Sequence, residues 1–207
     1  MLLEDLSIIG TIAFALSGAL VAIEEEYDIF GILVLGFITA FGGGMIRNLT
    51  IGLPVALFWN QNLEFMYALI AIILVIILPT IWIRFGQKPI LLCDALGLSV
   101  FSAQGAIYAQ KAGYSVAAIM VAAALTGIGG GMLRDVLAQR KPIVLRDDVY
   151  AIWALFSGAM IGLKWINLNV DWQVYGLILV VFLLRVLSIF FKWKLPRVII
   201  HKSSVLK

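Results

Sequence analysis

The sequence predicts an all-α integral membrane protein of seven transmembrane helices, arranged as two inverted three-helix repeats plus a seventh helix. Three features of the chain carry this prediction. They are an extreme apolar composition, an uneven distribution of basic residues between alternate connections, and an internal repeat of 87 residues that contains a glycine triplet.

The composition places the chain in a membrane. Hydrophobic residues make up 63% of it, charged residues only 13%, and the mean hydropathy is +1.06. A soluble domain carries roughly 25% charged residues, so the surplus apolar surface must face lipid. Because a spanning helix takes about 20 apolar residues, 207 residues hold roughly seven spans and no separate soluble domain.

Seven apolar stretches are separated by charged residues or helix breakers. The first begins with Glu4 and Asp5 instead of the basic residues of a signal peptide, so it is predicted to remain as a structural span. The predicted spans cover residues 6–23, 30–58, 65–83, 91–108, 114–137, 149–165 and 172–191.

The basic residues predict the orientation. When connections are assigned alternately to the two sides, one side receives only three of them, Arg47, Lys111 and Lys164. This bias predicts an N-terminus outside and a C-terminus in the cytoplasm, which requires an odd number of spans. The other side receives Arg84, Lys88, Arg134, Arg140, Lys141, Arg146, Arg185, Lys192, Lys194, Arg197, Lys202 and Lys207.

The repeat appears when the sequence is shifted by 87 positions. Gly10, Phe14 and Gly18 then coincide with glycine, phenylalanine and glycine, and block 42–47 coincides with block 129–134. Three spans per unit mean that the second unit enters the membrane from the opposite face. The predicted units are 1–86, the inverted repeat 87–167, and a seventh helix with a basic cytoplasmic tail, 168–207. Inverted repeats place a transport pathway near the midplane.

Each repeat carries a glycine triplet within a span. Adjacent glycines are poor helix formers, and irregular backbone at membrane depth is tolerated where it lines a cavity or is buried in protein. The sequence therefore predicts that spans two and five are broken at the triplets and line the pathway. The alternative is that the glycines only allow close helix packing. The triplets are Gly42, Gly43, Gly44 and Gly129, Gly130, Gly131.

An arginine follows each triplet, Arg47 in the first repeat and Arg134 in the second. Either it acts as a pore charge or gate, or it snorkels to an interface. Asp135 is the nearest carboxylate to Arg134, whereas its counterpart is Asn48, so an acidic partner exists in one half only. Polar residues that are candidates either for the pore or for helix–helix hydrogen bonds are Ser17, Thr39, Asn48, Ser102, Gln104 and Thr126.

Enzyme chemistry is not predicted. The chain has no paired histidines, no phosphate-binding loop and no nucleophile–histidine–acid set, and the lone His201 has no partner for a metal site. We expect no catalytic residue, no cofactor, no bound metal and no nucleic-acid partner. Asp94, Asp147 and Asp148 are expected near the cytoplasmic interface, at the starts of spans four and six.

The doubled Gly-Gly-Gly-Met-[Ile/Leu]-Arg motif, in a seven-span chain of this size, resembles bacterial and archaeal members of the trimeric intracellular cation (TRIC) channel family. The run 126–137 is especially similar, and the resemblance covers roughly residues 3 to 192. The repeated domain of this family has also been labelled a glycine transporter domain. Animal relatives hold a phosphoinositide with a Lys-Glu-Val run that this chain lacks, so the resemblance does not extend to that regulation.

The resemblance implies homotrimers with one pore in each subunit, conducting monovalent cations, K⁺ in particular, with K⁺ or Na⁺ as the permeating ion. Spans two and five would be kinked at the glycines and line the pore with spans one and four. The matching positions are Gly42–Gly44, Gly129–Gly131, Arg47, Arg134 and Asp135. The resemblance also implies a prokaryotic plasma membrane.

Two functions compete. A passive cation channel passes current without a coupled ion, whereas a secondary transporter of a small solute such as glycine saturates and needs a driving ion. A purely structural role would leave the glycine triplets and arginines unexplained. Besides cations and membrane lipids, the expected partner is the chain itself, with the trimer seam on the faces of spans one and four that carry Gly10, Gly18, Gly97 and Gly105.

Overall fold

A computed structural model describes residues 2–79, 82, 84–146 and 149–193, and these residues form helices joined by short connections, with no strand among them. Asp147 and Asp148 lie outside the described residues. A 3₁₀ helix covers Val55–Asn60 and a single helical turn covers Ile143–Arg146. The main helices are α1 (Leu2–Glu24), α2 (Ile29–Thr50), α3 (Asn62–Ile77), α4 (Lys88–Lys111), α5 (Val116–Leu137), α6 (Tyr150–Gly162) and α7 (Asp171–Phe190).

Five of these helices, α1, α2, α4, α5 and α7, are long and apolar enough to cross a membrane. Helices α3 and α6 are apolar but shorter, with 16 and 13 residues. At 1.5 Å per residue they reach about 24 and 20 Å, less than the roughly 30 Å hydrocarbon core. The predicted all-helical membrane fold is confirmed, and the count of seven spans stays a prediction.

Equivalent residues start the two glycine-containing helices. The side chain of Asp28 accepts a hydrogen bond from the Gly31 amide at 2.7 Å, and Ser115 accepts one from the Ala118 amide at 3.5 Å. Asp and Ser are favoured at this position because their oxygens satisfy amides that have no partner inside the helix. The two caps are 87 residues apart, so the repeat extends to local structure.

The helices pack in the same way in both halves. Helix α1 lies against α2 and α3 as α4 lies against α5 and α6, and the halves meet where α1 contacts α4 and α2 crosses α5. The contacts are reciprocal: Gly10 abuts the ring of Phe101, and Gly97 abuts the ring of Phe14. Such reciprocity is what a two-fold relation between the halves requires. Helix α7 packs on α4 and α6 as an added element.

The expected break at the glycine triplets is wrong, since α2 and α5 continue as α-helix through 42–44 and 129–131. The glycines instead let the two backbones cross at close range. A Cβ added at Gly43 would clash with the carbonyl oxygen of Thr126, and one added at Gly130 would clash with that of Thr39. Close helix packing, the alternative reading, therefore accounts for the middle glycine of each triplet.

The expected trimer seam is also wrong. The glycines of α1 and α4 face the interior of the subunit, because Gly18 and Gly105 lie against Thr39 and Thr126 and the other two lie against phenylalanine rings. All four positions are buried. These glycines hold α1 and α4 against α2, α5 and each other, so they are not free to contact a second subunit.

Candidate functional site

A buried charge cluster surrounds Arg134 near the end of α5. Its Nη1 lies 2.9 Å from Asp94 Oδ1, its Nη2 lies 2.8 Å from Asp135 Oδ1, and it also donates to the hydroxyl of Ser17. Arg134, Asp94 and Asp135 are 1%, 0% and 3% exposed. Two carboxylates thus compensate one guanidinium, and the second Asp135 oxygen accepts from the Ile143 amide at 3.0 Å.

This cluster bears on two expectations. Asp94 is fully buried and bonded to Arg134, and its place near the cytoplasmic interface stays a prediction. The snorkelling alternative for the arginines is wrong, since both guanidinium groups point into the bundle, with Arg47 only 5% exposed. The predicted pairing of Arg134 with Asp135 is present, although adjacent helical residues do not normally face each other. The long arginine side chain folds back to reach its neighbour.

A second cluster surrounds Arg47 at the end of α2, at the position equivalent to Arg134. Its Nε and Nη2 donate to Asn48 Oδ1 at 3.1 and 2.9 Å, and its Nη1 donates to Gln104 Oε1 at 3.3 Å. The guanidinium carbon lies 4.1 Å from the centre of the Tyr108 ring. Within the described part of the chain, no carboxylate lies within ion-pair distance of Arg47.

The two clusters correspond residue by residue at the repeat spacing. Arg47 matches Arg134, Asn48 matches Asp135, and Gln104 matches Ser17. Their charges differ, because the first cluster has neutral amides where the second has an aspartate. The sequence anticipated this asymmetry for Asn48 and Asp135, and the structure extends it to Asp94, whose counterpart is Ser7.

Each cluster borders a cavity. The Arg134 cavity has a volume of about 620 Å³, and the Arg47 cavity one of about 30 Å³. The lining of the Arg134 cavity includes Glu24, Glu25, Gln87, Arg134, Asp135 and Arg140. The lining of the Arg47 cavity includes Ser7, Thr11, Arg47, Asn48, Gln104 and Tyr108.

The two cavities lie at opposite ends of α1 and are separated by packed side chains. Thr11 borders one cavity and Val21 the other, and ten helical residues span about 15 Å. Between them lie Phe14 and Phe101, whose ring centroids are 5.2 Å apart, and Gly130 packs against the Phe14 ring. The middle of the subunit is therefore closed by aromatic rings and by the crossing of α2 and α5.

Polar contacts tie the halves together at both ends. At the mouth of the Arg134 cavity, Arg140 pairs with Glu24 at 2.8 Å and also with Glu25. Beside it, the hydroxyl of Tyr27 donates to the Leu137 carbonyl at 3.0 Å. At the other end the hydroxyl of Tyr114, the counterpart of Tyr27, donates to the Ile51 carbonyl at 3.0 Å.

The remaining predicted polar residues bond within their own helices. Thr39 and Thr126 donate to the Leu35 and Ala122 carbonyls, each at 2.6 Å, and Ser102 donates to the Ser99 carbonyl at 3.1 Å. Neither threonine lines the two cavities. Among the triplet glycines, Gly44 lines the Arg47 cavity.

Sequence reasoning misses several buried residues in or near the two clusters. Asp94 carries a usable signal, because an acidic residue inside an apolar stretch marks a functional site by default. Arg185 carries the same signal, although the charge pattern groups it with the basic residues of the cytoplasmic connections. It is fully buried on α7, with its guanidinium carbon 4.4 Å from the centre of the Tyr150 ring. Tyr108 had no signal beyond its apolar surroundings.

Known proteins match the chain over nearly its whole length. A family profile described as Glycine transporter matches residues 5–80 and 91–165. UPF0126 membrane protein YvgT of Bacillus subtilis (strain 168) is 51% identical over 193 residues, covering 93% of this chain and 95% of that protein. A solved structure of a prokaryotic TRIC channel in 0.5 M KCl is 36% identical, with a TM-score of 0.86, and covers 94% of this chain and 99% of that one. The chain belongs to the prokaryotic TRIC family.

A second solved TRIC structure, described as the structural basis for conductance through TRIC cation channels, is 34% identical with a TM-score of 0.81 and covers 95% of this chain and 97% of that chain. The Glycine transporter profile matches twice, in segments whose starts are 86 residues apart. This agrees with the repeat read from the sequence. Because the matched TRIC proteins are multi-pass membrane proteins and channels, the predictions of a membrane protein and of a chain that is not an enzyme are confirmed.

Proposed function

We propose that this chain is a cation channel that conducts monovalent cations, K⁺ foremost, through a pathway inside each subunit. The observation that carries the proposal is the pair of polar cavities at opposite ends of α1 and α4. The helix with the first glycine triplet, α2, borders the Arg47 cavity, and the helix with the second, α5, borders the Arg134 cavity. The solved relatives, described as TRIC cation channels, support the same function.

The pathway runs from the Arg47 cavity past Phe14 and Phe101 to the Arg134 cavity. Apolar constrictions close a pore by excluding water, so the packed rings correspond to a closed conformation. Beyond them, Asp94 and Asp135 offset the charge of Arg134, which lowers the electrostatic barrier that a bare guanidinium would set against a cation. Opening therefore requires the two rings to separate.

The assembly and location belong to the same proposal. We infer a homotrimer with one pathway per subunit in a prokaryotic plasma membrane, with the N-terminus outside. The Arg47 cavity then faces outward and the Arg134 cavity faces the cytoplasm. A solved relative described as a trimeric intracellular cation channel orthologue supports the trimer. Cross-linking in membranes followed by mass analysis should give a limit of three subunits.

Potassium efflux from proteoliposomes tests the pathway. In a Cys93→Ser background, cysteines at Ser7 and Leu91 place a thiol in the Arg47 cavity and the Arg134 cavity. A small, water-soluble thiol reagent should abolish most of the efflux through either variant. The matched control is Leu183→Cys on the exposed face of α7, where the side chain is 48% exposed, and its efflux should persist.

The pathway is refuted if the reagent leaves both cavity variants conducting like the control. Rapid efflux that needs no added solute supports a channel. Absence of any potassium current from well-folded trimers under voltages of both signs argues against the function itself.

A second candidate is a secondary transporter of a small solute such as glycine. It is favoured by the closed middle, because a carrier also keeps its two cavities separate, and by the glycine transporter description of the matching profile. Uptake of labelled glycine that saturates and requires an ion gradient would replace the channel proposal. Efflux of K⁺ without such uptake would exclude the carrier.

A further inference from the structure

We propose that the Arg47 cavity binds a small monovalent anion, of halide size, which serves as the counter-charge of Arg47. The inference concerns a site that the cation pathway does not require. It follows from comparing two equivalent clusters whose charges do not match.

The guanidinium of Arg134 forms ion pairs with two carboxylates, those of Asp94 and Asp135. At the equivalent positions around Arg47 the chain has Ser7 and Asn48. Both halves therefore carry the arginine, but only the second half carries the two acids. The Arg47 cluster carries a net positive charge where the Arg134 cluster carries a net negative one.

Burial of the Arg47 guanidinium without a counter-ion destabilises the folded protein. Arg47 is 5% exposed, and a buried ion without a counter-ion carries a desolvation penalty of several kcal/mol. The amide oxygens of Asn48 and Gln104 and the ring of Tyr108 attract the guanidinium, yet none of them carries a charge. An anion beside Arg47 would supply what Asp94 and Asp135 supply to Arg134.

The cavity has the size and the donors for such an ion. Its volume is about 30 Å³, and a water-sized occupant needs about 10–15 Å³, so the cavity has room for a halide ion. Ser7, Thr11 and Gln61 line it with hydroxyl and amide groups that donate hydrogen bonds. Its lining contains Arg47 and no carboxylate.

The anion site is independent of cation conduction, because it is inferred only from the charge and burial of Arg47 and from the volume of the cavity. If the chain conducts cations, the bound anion would cancel the fixed positive charge at that end of the pathway. Failure to bind an anion would leave the channel proposal untouched, and failure to conduct would leave the anion site untouched.

Thermal unfolding of the purified protein tests the proposal in KCl against potassium gluconate at equal concentration. Chloride should raise the midpoint by on the order of 5 °C at saturation, since a ligand that binds only the folded state stabilises it. Asn48→Asp, which installs the carboxylate that the second repeat has, should abolish the chloride dependence and raise the midpoint in gluconate. Arg47→Gln should abolish the dependence as well.

Arg140→Gln is the matched control, because Arg140 lies at the mouth of the other cavity and is 26% exposed. Its chloride dependence should equal that of the parent protein. If Asn48→Asp does not fold, Ser7→Asp places a carboxylate at the counterpart of Asp94 and carries the same expectation.

Crystals grown in KBr give a direct readout. Anomalous scattering should show bromide beside the Arg47 guanidinium in the parent protein and none there in Asn48→Asp. The proposal is overturned if the parent shows no chloride-dependent shift, if the shift survives undiminished in Arg47→Gln and the carboxylate variant, or if no bromide density lies in the cavity.

Discussion

At the scale of single residues, the buried ion pairs around Arg134 constrain the interior more than they stabilise it. The attraction within a buried ion pair exceeds the desolvation penalty of its two ions by little. Removal of the only partner of a buried ion, however, leaves an uncompensated charge at a cost of about 3–5 kcal/mol. Asp94 is fully buried, and its Oδ1 is 2.9 Å from Arg134 Nη1. The identity of this residue therefore matters far more than that of a surface carboxylate.

We expect Asp94→Asn to lower the free energy of unfolding by about 1.5–3 kcal/mol, because a buried hydrogen bond between two charged groups is weakened, although Asp135 still neutralises Arg134. Denaturant titration of the detergent-solubilised protein measures this change. The control is Glu25→Gln, which weakens an ion pair to the partly exposed Arg140 and should cost less than about 1 kcal/mol. Equal costs for the two variants would contradict the assignment of Asp94 as a counter-ion.

At the scale of elements, the close crossing of α2 and α5 depends on Gly43, Gly129 and Gly130. A Cβ at Gly43 or Gly130 would clash with a carbonyl oxygen of the opposite helix, and one at Gly129 would lie 3.0 Å from the Gly43 Cα. A Cβ at Gly44 would meet only the end of the Arg47 side chain, 3.8 Å away. Neighbouring glycines thus have different roles, since Gly43 permits close approach and Gly44 borders the Arg47 cavity.

We expect Gly43→Ala to destabilise the protein by about 1–3 kcal/mol, because the added methyl group forces two rigid backbones apart. Gly44→Ala should be neutral or stabilising by up to about 1 kcal/mol, since alanine is the better helix former. Unfolding of the two variants under identical conditions provides the comparison. A destabilised Gly44→Ala beside an unaffected Gly43→Ala would refute the crossing.

At the scale of the whole molecule, the two halves hold each other through equivalent contacts at opposite ends. Tyr27 bonds to the end of α5, and Tyr114 bonds to the residue that follows α2. Each tyrosine lies in the turn before the glycine-containing helix of its own half. The turns also share a left-handed residue, Glu26 with a φ of 56° and its counterpart Gly113 with a φ of 80°.

We expect Tyr114→Phe to cost about 1 kcal/mol, the usual net value of a hydrogen bond, and Tyr27→Phe to cost less because its bond is exposed. The double variant should show additive costs, since the two bonds lie at opposite ends of the molecule. A double-mutant cycle on unfolding free energies measures this. Strong non-additivity would show that the two ends are coupled through the helices.

The membrane class, the repeat and the importance of the glycine triplets and the arginines that follow them could be predicted from the sequence alone. These follow from composition and from residue identities at a fixed spacing of 87, and both are properties of the chain that need no coordinates. The pairing of Arg134 with Asp135 was within reach for the same reason, because the two residues are adjacent.

The contacts of the glycines and the polar residues could not be predicted in this way, because they depend on how the helices pack. Glycine has the same low helix propensity whether it ends a helix or lets another helix approach, so the predicted break and the actual crossing look alike in sequence. Asp94 and Arg134 are 40 residues apart, and only the packing of α4 against α5 brings them together. Packing likewise turned the glycines of α1 and α4 inward, because their lack of a side chain makes room for the phenylalanine and threonine side chains of the other helices.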